Sequence, residues 1–144
     1  MHCVDSSQLK PITTIDYALA GEYANEVRAF ASIESGEDSL AVGDAGQALG
    51  LVQLHPATFV HWYSRAAMKN SDTWTGAFIK TCAAFLDYFA FHEASPNQQD
   101  LIVQAWNLGV AGVFTNGRRN PEYLAKWKKA YQGLALPKSS SQLL

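Results

Sequence analysis

Apolar residues recur at helical spacing along most of the chain. Between Ile15 and Ala31 they return at steps of three and four residues, which is typical of one face of an α-helix, and Gly21 is a candidate break. Gly36 is free to take the left-handed conformation that ends many helices, so the pattern predicts a helix stop there. Residues 37–54 are glycine-rich, and we expect a loop or a small hairpin.

Two further helices are predicted in the middle of the chain. Pro56 suits a first helical position, and the segment "ATFVHWYSRAAMKN" continues as a helix. Asp72 can cap the next one, in which an apolar stripe recurs at helical spacing through Trp74, Phe78, Cys82, Phe85 and Phe89. We expect this helix to be the central element of the core.

The last part of the chain predicts two more helices. Ser95, followed by Pro96, begins one that Gly109 closes. Asn120, again followed by proline, begins a last helix that we expect to end at Gly133. The pattern contains no repeat and predicts a mainly α fold, with five to six or more helices around a small glycine-rich loop or hairpin.

Length and composition fit one domain. The chain has 144 residues, of which 48% are hydrophobic, enough for a closed core. We expect a globular domain over residues 12–134, an N-terminal arm over 1–11 and a polar tail over 135–144. The formal net charge of -2 favours no nucleic-acid partner. No apolar run approaches the roughly 18 residues of a membrane span, and the first residues lack the apolar centre of a signal peptide.

Cysteine and histidine spacing favours neither a disulfide framework nor a metal site. Cys3 and Cys82 form no Cys-x-x-Cys motif, so both are expected to be free thiols, with Cys82 in the core. His55 and His61 are six residues apart, which does not place them on one helix face, and His92 is remote in sequence. We therefore expect no metal and no cofactor.

Glu34 is the first candidate for chemistry. Val27, Phe30 and Ala31 precede it by seven, four and three residues, so its carboxylate lies on the apolar face of its own helix, in the last turn. Burial and the helix C-terminus both disfavour the ionised form, so we expect a raised pKa and a general acid of the kind used in glycoside cleavage. The alternative is a helix-end glutamate that turns out to water.

The glycine-rich loop beside Glu34 suggests a binding surface. Gly43, Gly46 and Gly50 permit positive φ and close approach of a ligand to the backbone, and Gln53 supplies a neutral donor and acceptor. This combination is typical of the floor of a sugar-binding cleft, although a purely structural turn is the alternative. Trp62 is suited either to stacking on a sugar or to the core, whereas Trp74 and Trp127 are expected in the core.

Two motifs in this order resemble those of the soluble lytic transglycosylase family. The segment "IESGEDSLAVGDAGQALGLVQLHPAT" is similar to the family's first motif, and the matching positions are Glu34, Ser35, Gly36, Ala48, Gly50, Leu51, Gln53, Pro56 and Thr58. The segment "AWNLG" resembles the second motif, Ala-Tyr-Asn-x-Gly, with Trp106 in place of tyrosine and Asn107 at the asparagine. Tyr123 in "NPEYLAKW" loosely matches a third signature.

The resemblance implies a lysozyme-like fold and cleavage of peptidoglycan strands between N-acetylmuramic acid and N-acetylglucosamine. It implies that Glu34 acts as acid and then base, that a 1,6-anhydro end forms, and that the enzyme works on the bacterial cell wall, periplasmic, secreted or carried by a phage. The substrate-binding positions that it implies are Ser35, Gly50, Leu51, Gln53, Trp106, Asn107 and Tyr123.

Two alternatives stay open. Asp44 is a candidate second carboxylate for a lysozyme-type hydrolase, although an aspartate in the turn "GDAGQ" commonly bonds to nearby backbone amides instead. Glu37 and Asp38 are closer to Glu34 in sequence but are expected to be exposed to water. The second alternative is a non-catalytic module that binds glycan or forms part of a virion.

Overall fold

The computed structural model describes residues 15–43, 48–54, 58, 61–62 and 74–135. These residues form a mainly α fold, as predicted, with two 3₁₀ helices at Tyr17–Tyr23 and Phe91–Glu93. The α-helices are α1 (Ala24–Ser35), α2 (Trp74–Tyr88), α3 (Pro96–Leu108), α4 (Val110–Phe114) and α5 (Pro121–Ala135). A short antiparallel hairpin pairs β1 (Val42–Gly43) with β2 (Ala48–Leu49), and Gly43 stands opposite Ala48.

Two glycines interrupt the first helical part of the chain, one within the first 3₁₀ helix and one at the end of α1. Gly21 has a φ of 58°, which kinks the segment within the first 3₁₀ helix, and a break at this position was predicted. Asp16 caps the 3₁₀ helix by accepting from the Ala18 amide at 3.1 Å. Gly36, with a φ of 65°, ends α1 in the left-handed conformation and donates its amide to the Ser32 carbonyl, so the predicted stop is confirmed.

The core is built around α2 and α1. Of the stripe predicted for α2, Cys82 is fully buried, Phe85 nearly so, and Phe78 and Phe89 are half-buried. Ile79 and Leu86, which the predicted stripe did not include, are also fully buried. Trp62, for which the sequence favoured neither sugar stacking nor the core, is buried. Its ring packs edge-on against Phe85 with ring centroids 5.2 Å apart, so it belongs to the core. The expectation that Trp74 is a core residue concerns a side chain outside the described set.

The predicted boundaries of the later helices are confirmed except at the C-terminal end. Ser95 caps α3 by accepting from the Gln98 amide at 3.3 Å, and Gly109 closes it with a φ of 85°. Asn120 caps α5 by accepting from the Tyr123 amide at 3.1 Å. The prediction that α5 ends at Gly133 is wrong, since the helix runs on to Ala135. One helical glycine costs less than about 1 kcal/mol, too little to stop a helix that is packed along one face.

The helices α1 and α5 run antiparallel and meet through three residue pairs. Successive pairs are four residues apart along each helix. The Glu26 carboxylate faces the Tyr131 hydroxyl, the Phe30 ring lies 5.4 Å from the Trp127 ring, and Glu34 faces Tyr123. A step of four residues keeps the members on one face of each helix, so both helices present a continuous row to each other.

Several expectations fall on residues outside the described ranges. These are the N-terminal arm 1–11, the helix start at Pro56, the cap at Asp72 and most of the tail 135–144. Thr58, His61 and Trp62 are helical, in agreement with the helix predicted after Pro56. In the portion that the structure describes, no helix has the length and apolar character needed to cross a membrane.

Candidate functional site

Glu34 lies in the last turn of α1, half-buried, on the face that points to the core. Val27, Phe30 and Ala31 on the same face are fully buried, as the spacing predicted. The charge of Glu34 acts on Cys82 of α2 and on Tyr123 of α5. Three helices therefore converge at this carboxylate.

Tyr123 is the polar group that faces Glu34. Burial raises the pKa of Tyr123 well above its usual range, and the charge and hydrogen-bonding proximity of Glu34 raise it further. Its hydroxyl is buried and makes no well-aligned hydrogen bond to any described residue, so the two groups meet in a loose geometry. The phenol stays protonated near neutral pH and can donate toward the carboxylate.

Cys82 is the third ionisable group of this cluster. Burial raises the pKa of the Cys82 thiol well above its usual range, and the charge of Glu34 adds to the effect. The thiol is therefore neutral and inert at physiological pH, and its contribution beside Glu34 is small apolar bulk, as expected of a core cysteine.

Ser35 of α1 forms a hydrogen bond to the turn that follows β2. The Ser35 hydroxyl lies 2.6 Å from the Leu51 carbonyl and 3.2 Å from the Ala31 carbonyl, and it accepts from the Asp38 amide at 3.0 Å. These contacts bring the turn against the end of α1, next to Glu34. They occupy the Ser35 hydroxyl in positioning the turn, and the Leu51 side chain is fully buried.

Gln53 folds back onto the hairpin. Its side-chain Nε2 donates to the Gly50 carbonyl at 2.9 Å and to the Ala41 carbonyl at 3.2 Å, while its own φ is 50°. The donor that was expected to meet a sugar is therefore occupied by the backbone of the loop. Gln53 acts as a brace for the turn in this conformation.

Two of the loop glycines are required by different constraints. Gly50 has a φ of 75°, and a Cβ there would meet the Phe78 ring. Gly43 does not use the positive φ that glycine permits, but a Cβ at this position would lie 2.5 Å from the Gln53 Oε1. Close packing thus explains both residues, against α2 at Gly50 and against the Gln53 side chain at Gly43. Gly46 and Asp44 lie outside the described residues.

Trp106 connects α3 to the turn and to α1. Its indole Nε1 donates to the Val52 carbonyl at 3.4 Å, and its ring lies 4.9 Å from Phe85 and 5.7 Å from Phe30. Because Phe30 precedes Glu34 by one helical turn, Trp106 is joined by direct contact to the face that carries the carboxylate.

A groove of about 290 Å³ runs along Trp106 and Asn107. Among its other lining residues are His61, Trp62 and Val110. Asn107 is exposed, and its Oδ1 accepts from the Asn120 Nδ2 at 2.9 Å, which leaves its own amide nitrogen available to a ligand. The half-buried Trp106 and the exposed Asn107 thus line the same groove.

Two carboxylates follow α1, and one of them, Glu37, is less exposed to water than expected. Glu37 is half-buried and accepts from the Tyr17 hydroxyl and from the Arg28 Nε, both at 2.8 Å. This pairing was missed because Tyr17 and Arg28 are distant in sequence. Asp38 is exposed, as expected, and caps the local turn by accepting from the Leu40 amide.

The assembled features are a half-buried carboxylate beside a protonated phenol, a braced turn and a neighbouring groove with an indole and an amide. Within the described ranges, no group of three histidine, cysteine, aspartate or glutamate side chains lies close enough to hold a metal ion. The carboxylate of Glu34 is a group that can exchange a proton, and the helix that carries it contacts Trp106 of the groove through Phe30.

No protein-family model matches the chain, and no curated protein or solved structure is similar to it at a significant level.

Proposed function

We propose that this protein is a peptidoglycan lytic transglycosylase with a lysozyme-like arrangement of helices, acting on the bacterial cell wall with Glu34 as acid and then base. The observation that carries the proposal is the half-buried Glu34 in the last turn of α1, with the buried Tyr123 hydroxyl against it. The two sequence motifs, with Glu34 in one and Trp106–Asn107 in the other, give the substrate class.

In this proposal the carboxylic acid of Glu34 gives its proton to the oxygen that bridges N-acetylmuramic acid and N-acetylglucosamine. The C1–O bond breaks as the substrate's own acetamide oxygen bonds to the anomeric carbon. The Glu34 carboxylate then removes the proton of the C6 hydroxyl, whose oxygen attacks C1 and displaces the acetamide. The products are a free 4-hydroxyl and a 1,6-anhydro end, and Glu34 regains its proton.

Tyr123 orients Glu34 in this scheme without exchanging a proton. Its raised pKa keeps the hydroxyl protonated, so it donates toward the carboxylate form and fixes its direction. The groove beside Trp106 and Asn107 holds the glycan through ring stacking and amide hydrogen bonds.

The decisive experiment compares Glu34→Gln with Glu122→Gln, a variant of an exposed glutamate on α5. Glutamine keeps the shape of Glu34 but cannot donate and then accept the proton, so release of muropeptides from purified sacculi should fall about 10² to 10⁴-fold. Glu122→Gln should digest at the wild-type rate. Equal activity of Glu34→Gln and wild type, with both proteins folded, would reject the assignment.

Mass spectrometry of the products separates transglycosylation from hydrolysis. We expect 1,6-anhydromuramoyl ends and an Asp44→Asn variant that retains most activity. Reducing ends heavier by one water, together with an inactive Asp44→Asn, would indicate a lysozyme-type hydrolase instead. Binding of glycan without any product would indicate a non-catalytic module.

A further inference from the structure

A second acidic cluster lies at the other end of α1, away from Glu34. The Glu26 carboxylate is 2% exposed and lies 2.8 Å from the His92 Nε2, while the His92 Nδ1 lies 3.5 Å from Glu22. We refer to Glu22, Glu26 and His92 as the acid–histidine cluster. It links the first 3₁₀ helix and α1 to the second 3₁₀ helix, which lies between α2 and α3 in the chain.

We infer that the acid–histidine cluster is a pH-sensitive tie, which holds the second 3₁₀ helix on α1 while His92 is protonated and loosens when His92 loses its proton. A buried carboxylate needs a cation or several donors to offset its lost hydration. Protonated His92 supplies that charge to Glu26 and also attracts Glu22. Neutral His92 can still donate one hydrogen bond to Glu26, so the tie weakens rather than disappears.

The surroundings of His92 reinforce the tie. The His92 ring lies 4.5 Å from the Tyr23 ring, and Tyr131 of α5 faces the far side of the Glu26 carboxylate. The other charged groups around it, taken element by element, are Asp87 on α2, Glu93 beside His92, Asp100 on α3 and Lys128 on α5. Of these, Asp100 and Lys128 pair with each other, so the acids that act on His92 are Glu26 and Glu22.

A pocket of about 440 Å³ adjoins the cluster, with Phe91, Val103 and Trp127 among its lining residues. Its charged lining residues are paired internally: His92 with Glu26, and Lys128 with Asp100 at 3.1 Å. His92 therefore connects the wall of this pocket to α1, and the inferred loosening is expected at this wall first.

The direction of the pH effect follows from proton binding. Burial lowers the pKa of His92, but the hydrogen bonds and charges of Glu26 and then Glu22 outweigh it, so the pKa lies above the ordinary value of 6.5. The folded protein thus binds a proton more tightly than the unfolded chain. The stabilisation is fully present below about pH 6.5 and is lost as the pH rises through the folded pKa.

The direct test is NMR titration of the histidine rings in the wild-type protein, with the His92 signal assigned from its loss in His92→Gln. We expect a His92 midpoint above 6.5 that moves down in Glu26→Gln, because that substitution removes the buried charge. A wild-type midpoint at or below 6.5 would overturn the inference, and this result requires no variant to be stable.

Thermal unfolding gives an independent measurement. Between about pH 6 and pH 8.5 the wild-type Tm should fall by about 2 °C or more beyond the change seen in His92→Gln. His61→Gln, which removes a histidine on the groove side, should keep the wild-type pH dependence. An identical pH dependence in wild type and His92→Gln would contradict the tie. None of these measurements uses catalytic activity, so their outcome is separate from that of the proposed function.

Discussion

Two carboxylates of α1, Glu26 and Glu34, face tyrosines of α5 in different ways. Tyr131 is half-buried, and burial, followed by its hydrogen bond and charge interaction with Glu26, raises its pKa to about 12. Tyr123 is buried, and its hydroxyl meets Glu34 only loosely. The same pair of residue types therefore anchors a structural carboxylate at one end of α1 and borders the candidate proton donor at the other.

Two matched substitutions test which of these tyrosine hydroxyls matters for digestion of sacculi. Tyr123→Phe removes a hydroxyl without a well-aligned partner, so the free energy of unfolding should change by less than about 1 kcal/mol, whereas digestion of sacculi should slow about tenfold or more. Tyr131→Phe removes a hydroxyl that lies near Glu26 at a half-buried site, so it should reduce stability by less than about 1 kcal/mol and should leave digestion unchanged.

Urea unfolding and muropeptide release from the same preparations check both variants. Because the two substitutions delete one hydroxyl from the same helix, each serves as the control for the other. Full activity in Tyr123→Phe would exclude any role for this hydroxyl in orienting Glu34.

The hairpin and its following turn form an element with little core of its own, since each strand has only two residues. Its geometry is set by braces from three directions: Ser35 from α1, Trp106 from α3 and Gln53 from within the loop. Gly50 allows the turn to approach α2, where a Cβ would meet the Phe78 ring. The position of this turn beside Glu34 thus depends on contacts with the helical body.

Two glycine substitutions should change stability in opposite directions. Gly50→Ala combines positive φ with a clash against Phe78 and should destabilise by about 2 kcal/mol or more. Gly133→Ala lies in an exposed part of α5, where a Cβ meets nothing within 4 Å, and should stabilise by about 0.5 to 1 kcal/mol. Urea midpoints measure both, and a neutral Gly50→Ala would show that the turn adapts freely.

The braces of the turn lead to a separate prediction. Ser35→Ala removes the hydroxyl contact to the Leu51 carbonyl, while Glu34 and its helix are unchanged, so stability should fall by about 1 kcal/mol. If the turn must stay fixed beside Glu34, the rate of sacculus digestion should fall further than the loss of folded protein explains. Equal losses in Ser35→Ala and in a surface variant of matched stability would assign Ser35 a purely structural role.

At the scale of the whole molecule, aromatic rings connect the functional parts. Phe85 on α2 contacts Trp62, Phe89 and Trp106, with ring centroids between 4.9 and 5.2 Å apart. Phe30 on α1 contacts Trp106 and Trp127. The groove, the Glu34 face of α1 and the last helix therefore share one core.

Removing a ring at the centre of this core should unfold much of the molecule. Phe85 is 1% exposed, and Phe85→Ala should cost about 3 to 5 kcal/mol, a large part of the 5 to 15 kcal/mol typical of a domain. Leu40→Ala, at a side chain that is 57% exposed, should change stability by less than about 0.5 kcal/mol. Thermal unfolding followed by circular dichroism distinguishes the two.

The sequence alone determined the helical character, most helix boundaries and the placement of Glu34 on a buried face. These features depend on local spacing, capping residues such as Ser95 and Asn120, and left-handed glycines such as Gly36, all of which act within a few residues. The end of α5 was mispredicted because packing along the helix outweighs the local cost of Gly133.

Only the tertiary structure decided which distant side chains meet. The spacing Glu26–Phe30–Glu34 matches Tyr123–Trp127–Tyr131, but nothing in the order of residues sets the antiparallel register that joins them. Tertiary contacts likewise turned Gln53 into a brace and brought His92 to Glu26 across 66 residues. Long-range contacts depend on the combined burial of many side chains, and so a local pattern reveals the candidates but not their partners.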